Sequence, residues 1–94
     1  MEQKEIKIKI GDNELKGAYA NLMRVMHTKE EFVLDFGNVI SPTEGGIVTA
    51  RVITSPGHLK RIIKALEENL KNYEEKFGKI EEAKEPETKL GFQI

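Results

Sequence analysis

The chain has 94 residues, 33% of them charged, and its 15 basic and 16 acidic side chains leave a formal net charge of −1. A domain of this size buries only about 60–65% of the surface its unfolded chain exposes, so a single small domain with a thin margin of stability is expected. The absence of cysteine excludes disulfides, cysteine-ligated zinc and thiol catalysis, and the balanced charge argues against a surface that is a nucleic-acid footprint throughout.

The pattern begins with "KEIKIKIGDNELKG". Ile6, Ile8 and Ile10 alternate with Glu5, Lys7 and Lys9, the period-two signature of a half-buried strand over residues 4–10. Its lysines suit a sheet edge, and "GDN" at 11–13 is a turn cluster that ends it. The stretch lacks the continuous apolar run of a secretory leader, and no run approaches the roughly 18 apolar residues of a membrane span. A cytoplasmic protein with no membrane contact is the expectation.

A second strand is predicted over 18–27. Ala18, Ala20, Leu22 and Met26 share one face, interrupted by Arg24, while Tyr19, Asn21, Met23, Val25 and His27 share the other. "HTKEE" reverses the chain into a third strand over 31–40, with Phe32, Leu34, Phe36 and Ile40 opposite Val33, Asp35 and Val39. "SPTEGG" at 41–46 is a loop, because proline fixes φ and the glycine pair relieves backbone sterics. A fourth strand follows over 46–54 in "IVTARVIT", rich in β-branched residues. Connections this short imply an antiparallel meander.

The period then changes. Leu59, Ile62, Ile63, Leu66, Leu70, Tyr73 and Phe77 form a helical stripe. Ser55 as N-cap, Pro56 in the first turn and Gly78 as the stop bound a helix over 56–77. The fold class is therefore α+β: a four-stranded antiparallel meander and then one long amphipathic helix packed on one face, together a domain over 1–80. Residues 81–94 read as a charged tail holding Pro86, with Leu90, Phe92 and Ile94 available to dock.

One helix covers one sheet face. That leaves either Tyr19, Met23 and Val25 or the Ala20/Leu22/Met26 side uncovered, and contiguous apolar patches of that kind usually mark interfaces. Self-association, a twofold dimer first, is the expected answer. Tyr19, Met23 and Val25 are the candidate contact residues.

No catalytic motif is present, and no cofactor or metal site is expected. His27 and His58 are the only histidines, and nothing in their spacing makes them converge with Asp35 on a metal. Asp35, flanked by Leu34 and Phe36, is read first as pointing to solvent or pairing across strands with Arg24 or Arg51. The alternative is a base whose pKa its apolar neighbours raise. In the helix, His58, Lys60, Arg61 and Lys64 crowd the first half, and Glu67, Glu68, Glu74 and Glu75 the second. The macrodipole favours the reverse order. Gly57 with those four basic residues is accordingly a candidate patch for an anion or an acidic partner, including the acidic half of a second copy's helix.

"YANLMRVMHTKEEFVLDFG" and "ARVITSPGHLKRIIKALEENLKNYEEKFGKI" together resemble the prokaryotic family called domain of unknown function 3467, over about residues 19–80. The resemblance implies a small strand-then-helix protein and no activity. In architecture alone the chain is similar to the SecB export chaperone family, which implies an oligomer holding extended polypeptide in apolar grooves. The function expected is thus a non-enzymatic binding or adaptor module that self-associates through its sheet. Polypeptide holding is the first alternative. Nucleic-acid or phosphate binding by the basic half of the helix is the second.

Overall fold

The computed structural model describes residues 5–82. In chain order it contains α1 (Asp12–Lys16), β1 (Leu22–His27), β2 (Phe32–Ser41), β3 (Gly45–Thr54) and α2 (Pro56–Phe77). The strands form one antiparallel sheet in the order β1-β2-β3. The architecture is α+β, an antiparallel sheet followed by a helix.

Among the described residues the sheet has three strands, not four. Residues 5–10 adopt no regular structure, and Ile6, Ile8 and Ile10 are 81%, 87% and 61% exposed. Alternation dictates which side chains would share a face, but a strand exists only where another backbone supplies its hydrogen bonds. Among the described residues no ladder partner reaches this segment. The turn cluster after it becomes α1, closed by Gly17 at φ 74°. The predicted tail lies outside the described residues from 83 onward, Leu90, Phe92 and Ile94 included.

Local chemistry sets the two hairpins. The Thr28 hydroxyl accepts the N–H groups of Glu30 and Glu31, each at 3.2 Å, while the Thr28 N–H donates to the Glu31 carbonyl at 2.9 Å. At the second turn the Ser41 hydroxyl accepts from the Glu44 N–H at 3.1 Å, and Gly45 supplies a φ of 75° that a side chain would resist.

β1 begins at Leu22, later than the pattern suggests; before it the Asn21 N–H still donates to the Gly37 carbonyl at 3.0 Å, and asparagine side chains make the other links to β2. Asn21 Oδ1 accepts the Val39 N–H at 2.8 Å, and Asn21 Nδ2 donates to the Val39 carbonyl at 3.2 Å. Asn38 Nδ2 donates to the Tyr19 carbonyl at 3.0 Å. Two side-chain amides thereby pin 19–21 to β2 without extending the strand.

Register assigns the faces, since residues paired across an antiparallel ladder point the same way. Arg24, Asp35 and Arg51 stand in one row, flanked by Met26, Val33 and Ile53. The opposite face carries Met23, Val25, Leu34, Phe36, Ala50 and Val52. A bulge between Phe36 and Gly37 leaves Thr49 unpaired on β3 and kinks the sheet there.

The core is very small. Among the described residues, Leu22 at 6% and Leu34 at 8% are the buried hydrophobics, and they lie on opposite faces. The helix stripe expected to lie across the sheet is largely open: no residue of α2 is buried. Leu59 and Ile62 are half-buried, but exposure runs from 46% at Ile63 to 66% at Phe77.

The ends of α2 are well formed. The Ser55 side chain accepts the His58 N–H at 3.1 Å, Pro56 stands in the first turn, and the Gly78 N–H donates to the Glu74 carbonyl at 2.9 Å. Ser55→Ala should therefore destabilise the fold by about 1 kcal/mol. Chemical denaturation would show this as a lower midpoint at unchanged slope.

Candidate functional site

The most organised polar feature is the central row of the sheet. Position 35 is flanked by Arg24 on β1 and Arg51 on β3, so the ladder itself delivers two guanidiniums to one carboxylate. Arg51 binds it bidentately, Nε to Oδ1 at 2.7 Å and Nη2 to Oδ2 at 2.9 Å. Arg24 Nη2 donates to Oδ2 at 3.1 Å. Asp35 itself has 0% exposure.

A buried carboxylate persists ionised only if paired and hydrogen-bonded. Here the hydrogen bonds from Arg51 dominate, and those from Arg24 add to them against the opposing effect of burial. The Asp35 pKa falls from the ordinary 3.8 to about 2, and the Arg51 guanidinium is raised in return by the same hydrogen bonds. Of the alternatives open in the sequence, the cross-strand pair holds, with both arginines at once. Solvent exposure does not. A carboxylate this acidic is a poor general base, so the raised-pKa setting suggested by its apolar neighbours is reversed by its cross-strand ones.

The candidate contact residues separate. Met23 and Val25 share the Leu34 face, Met23 half-buried and Val25 more open. Tyr19 precedes β1 and is exposed. Gly57, His58, Lys60, Arg61 and Lys64 occupy the exposed first turns of α2. His27 lies at the end of β1 with its ring 5.3 Å from that of Phe32. Among the described residues no group of three or more His, Cys, Asp or Glu side chains could hold a metal ion, and no helix is long and apolar enough to cross a membrane.

Three features have no local signal in the sequence. The asparagine clamp at Asn21 and Asn38 depends on β2 lying alongside, which no local pattern announces. The requirement for glycine at 37 arises from the bulge opposite it. The third is a shallow groove beside the helix, lined by Glu67, Leu70, Lys71, Glu74, Glu75 and Lys79.

A family model described as protein of unknown function (DUF3467) matches residues 1–82, the whole sheet and helix included. The chain belongs to this family. The DUF3467 match takes in the N-terminal segment with Ile6, Ile8 and Ile10, which the two sequence blocks over 19–80 leave out. No curated protein and no solved structure matches the chain. What the DUF3467 chain does is therefore argued from its own surface.

Proposed function

We propose that this chain is a non-enzymatic binding or adaptor module that works as an assembly of its own copies. One observation carries the reading: apolar side chains stand open on both sheet faces and along α2, while Leu22 and Leu34 are the hydrophobics that the single chain buries among its described residues. Val25, Val52 and Ile53 on the sheet, and Leu66, Leu70 and Phe77 on the helix, are each between 47% and 66% exposed. Burying one such side chain fully is worth about 1.5–3 kcal/mol. Small domains have a total stability of about 5–15 kcal/mol, so this open surface is a large reserve that association would use.

Absolute molar mass by light scattering across a dilution series tests the reading. The expected result is a dimer or higher species that dissociates only at high dilution. A monomer at every concentration would overturn it.

A second reading rests on the strand edges. β1 and β3 each have one side with no ladder partner among the described residues, and an extended peptide adds to such an edge through its main chain. A polypeptide-holding role of this kind predicts that the chain slows aggregation of an unrelated unfolded protein regardless of its sequence. Absence of that effect at stoichiometric excess removes it.

A further inference from the structure

We propose that α2 pairs antiparallel with α2 of a second copy, in one register. The proposal rests on the self-association reading and names the surface responsible. Leu59, Ile63, Leu66, Leu70, Tyr73 and Phe77 recur at alternating intervals of four and three residues, the spacing of a coiled-coil seam. A helix serving only its own sheet needs a broader apolar stripe. From Ile63 onward the seam is open.

The seam is matched to itself when reversed. Set antiparallel about the middle of the helix, Leu59 meets Phe77, Ile63 meets Tyr73, and Leu66 meets Leu70, each pair occurring twice. All six seam residues find an apolar partner. Sliding by one heptad leaves two of them unmatched at each end.

Charge selects the direction. In a parallel in-register pair the basic first half of one helix would lie level with the basic first half of the other, and the acidic half with the acidic half. Reversal brings Lys60 beside Glu74 of the second copy, twice, at flanking positions where charges choose partner and orientation. The charge order that opposes the helix macrodipole in one copy becomes complementary in two. The groove described above lies on this flank: its Leu70, Glu67 and Glu74 are where Leu66 and Lys60 of the second copy arrive. Glu74 binds the Ile80 N–H through Oε2 at 2.9 Å, leaving Oε1 for the lysine. Glu67 meets its own copy near the axis, and Lys64 and Lys71, three and four residues away on the same helix, offset that contact.

Charge reversal tests the pairing. Lys60→Glu and Glu74→Lys each place the new charge where the macrodipole favours it, so neither should lower the helicity of the chain. Each alone should nevertheless weaken dimerisation by about tenfold, because both flanking pairs become like-charged. The double variant Lys60→Glu/Glu74→Lys should dimerise within about threefold of the parent chain. Equimolar mixing of the two single variants should yield mainly heterodimer by native mass spectrometry. If the parent chain dimerises but the single variants dimerise as well as it does and mix at random, the helix pair is wrong while the assembly reading stands. If the parent chain is monomeric throughout, both fall.

Discussion

Asp35→Asn should lower the melting temperature at neutral pH by roughly 10 °C or more, the largest effect expected of any near-isosteric change in this chain. The amide keeps the shape of the carboxylate but loses its charge. Arg24 and Arg51, which donate to it at 3.1, 2.9 and 2.7 Å, would then face one another across a site with no anion. One amide hydrogen pair would also point at guanidinium donors. Removing one member of such a cluster does more damage than replacing all of it. A triple variant with Asp35→Leu, Arg24→Met and Arg51→Met should therefore recover much of the loss.

Acid provides an independent check of the same cluster. Asp35 titrates at about 2 in the fold against an ordinary 3.8, so the unfolded chain binds the proton more readily. A carboxylate depressed in this way contributes its full stability above the unfolded value and loses it as the pH falls through the folded one. The stability difference between the parent chain and Asp35→Asn should hold steady above about pH 4 and shrink between 4 and 2. Other carboxylates titrate in both proteins, so the difference isolates this one. Parallel melting curves through that range would show that Asp35 is not held ionised by its arginines.

Gly37→Ala is expected to destabilise by about 2–4 kcal/mol, although it adds a single methyl to a β-strand. A Cβ at this position would collide with the Ile47 carbonyl oxygen and lie 2.9 Å from both the Ile47 carbonyl carbon and the Val48 Cα. These are backbone atoms held by the bulge, so they cannot swing aside as a side chain would. Relief would require the bulge between Phe36 and Gly37 to open, and with it the pairing toward the second turn. Gly57→Ala is the control, since nothing lies within 4 Å of its Cβ. It sits in the first turn of α2 and should leave stability unchanged or raise it by about 0.5 kcal/mol. Equal losses at both positions would refute the steric account.

Elements whose determinants are local are legible in the sequence. Residues 56–77 carry both the helical stripe and its stop signals, and α2 spans Pro56–Phe77. The β2 and β3 strands are bounded by turn residues whose hydroxyls and glycine do the turning. The segment with Ile6, Ile8 and Ile10 shows where the local signal stops. Its alternation is as regular as any in the chain, yet it forms no strand, because pairing is a property of two backbones and only one is written in the segment.

The same limit governs Asp35. Its sequence neighbours Leu34 and Phe36 suggest a carboxylate in apolar surroundings with a raised pKa, but consecutive strand residues point to opposite faces. The neighbours that matter are Arg24 and Arg51, brought in by register from eleven and sixteen residues away, and they reverse the sign of the shift. The sequence alone determined the α+β class, the helix and its limits, and the excess of apolar faces over covers. Only the tertiary structure decided the number of strands, the partners of Asp35, the need for glycine at 37 and the openness of the helix seam. Those four depend on which backbones lie side by side, and periodicity records the face a residue takes without recording what stands opposite it.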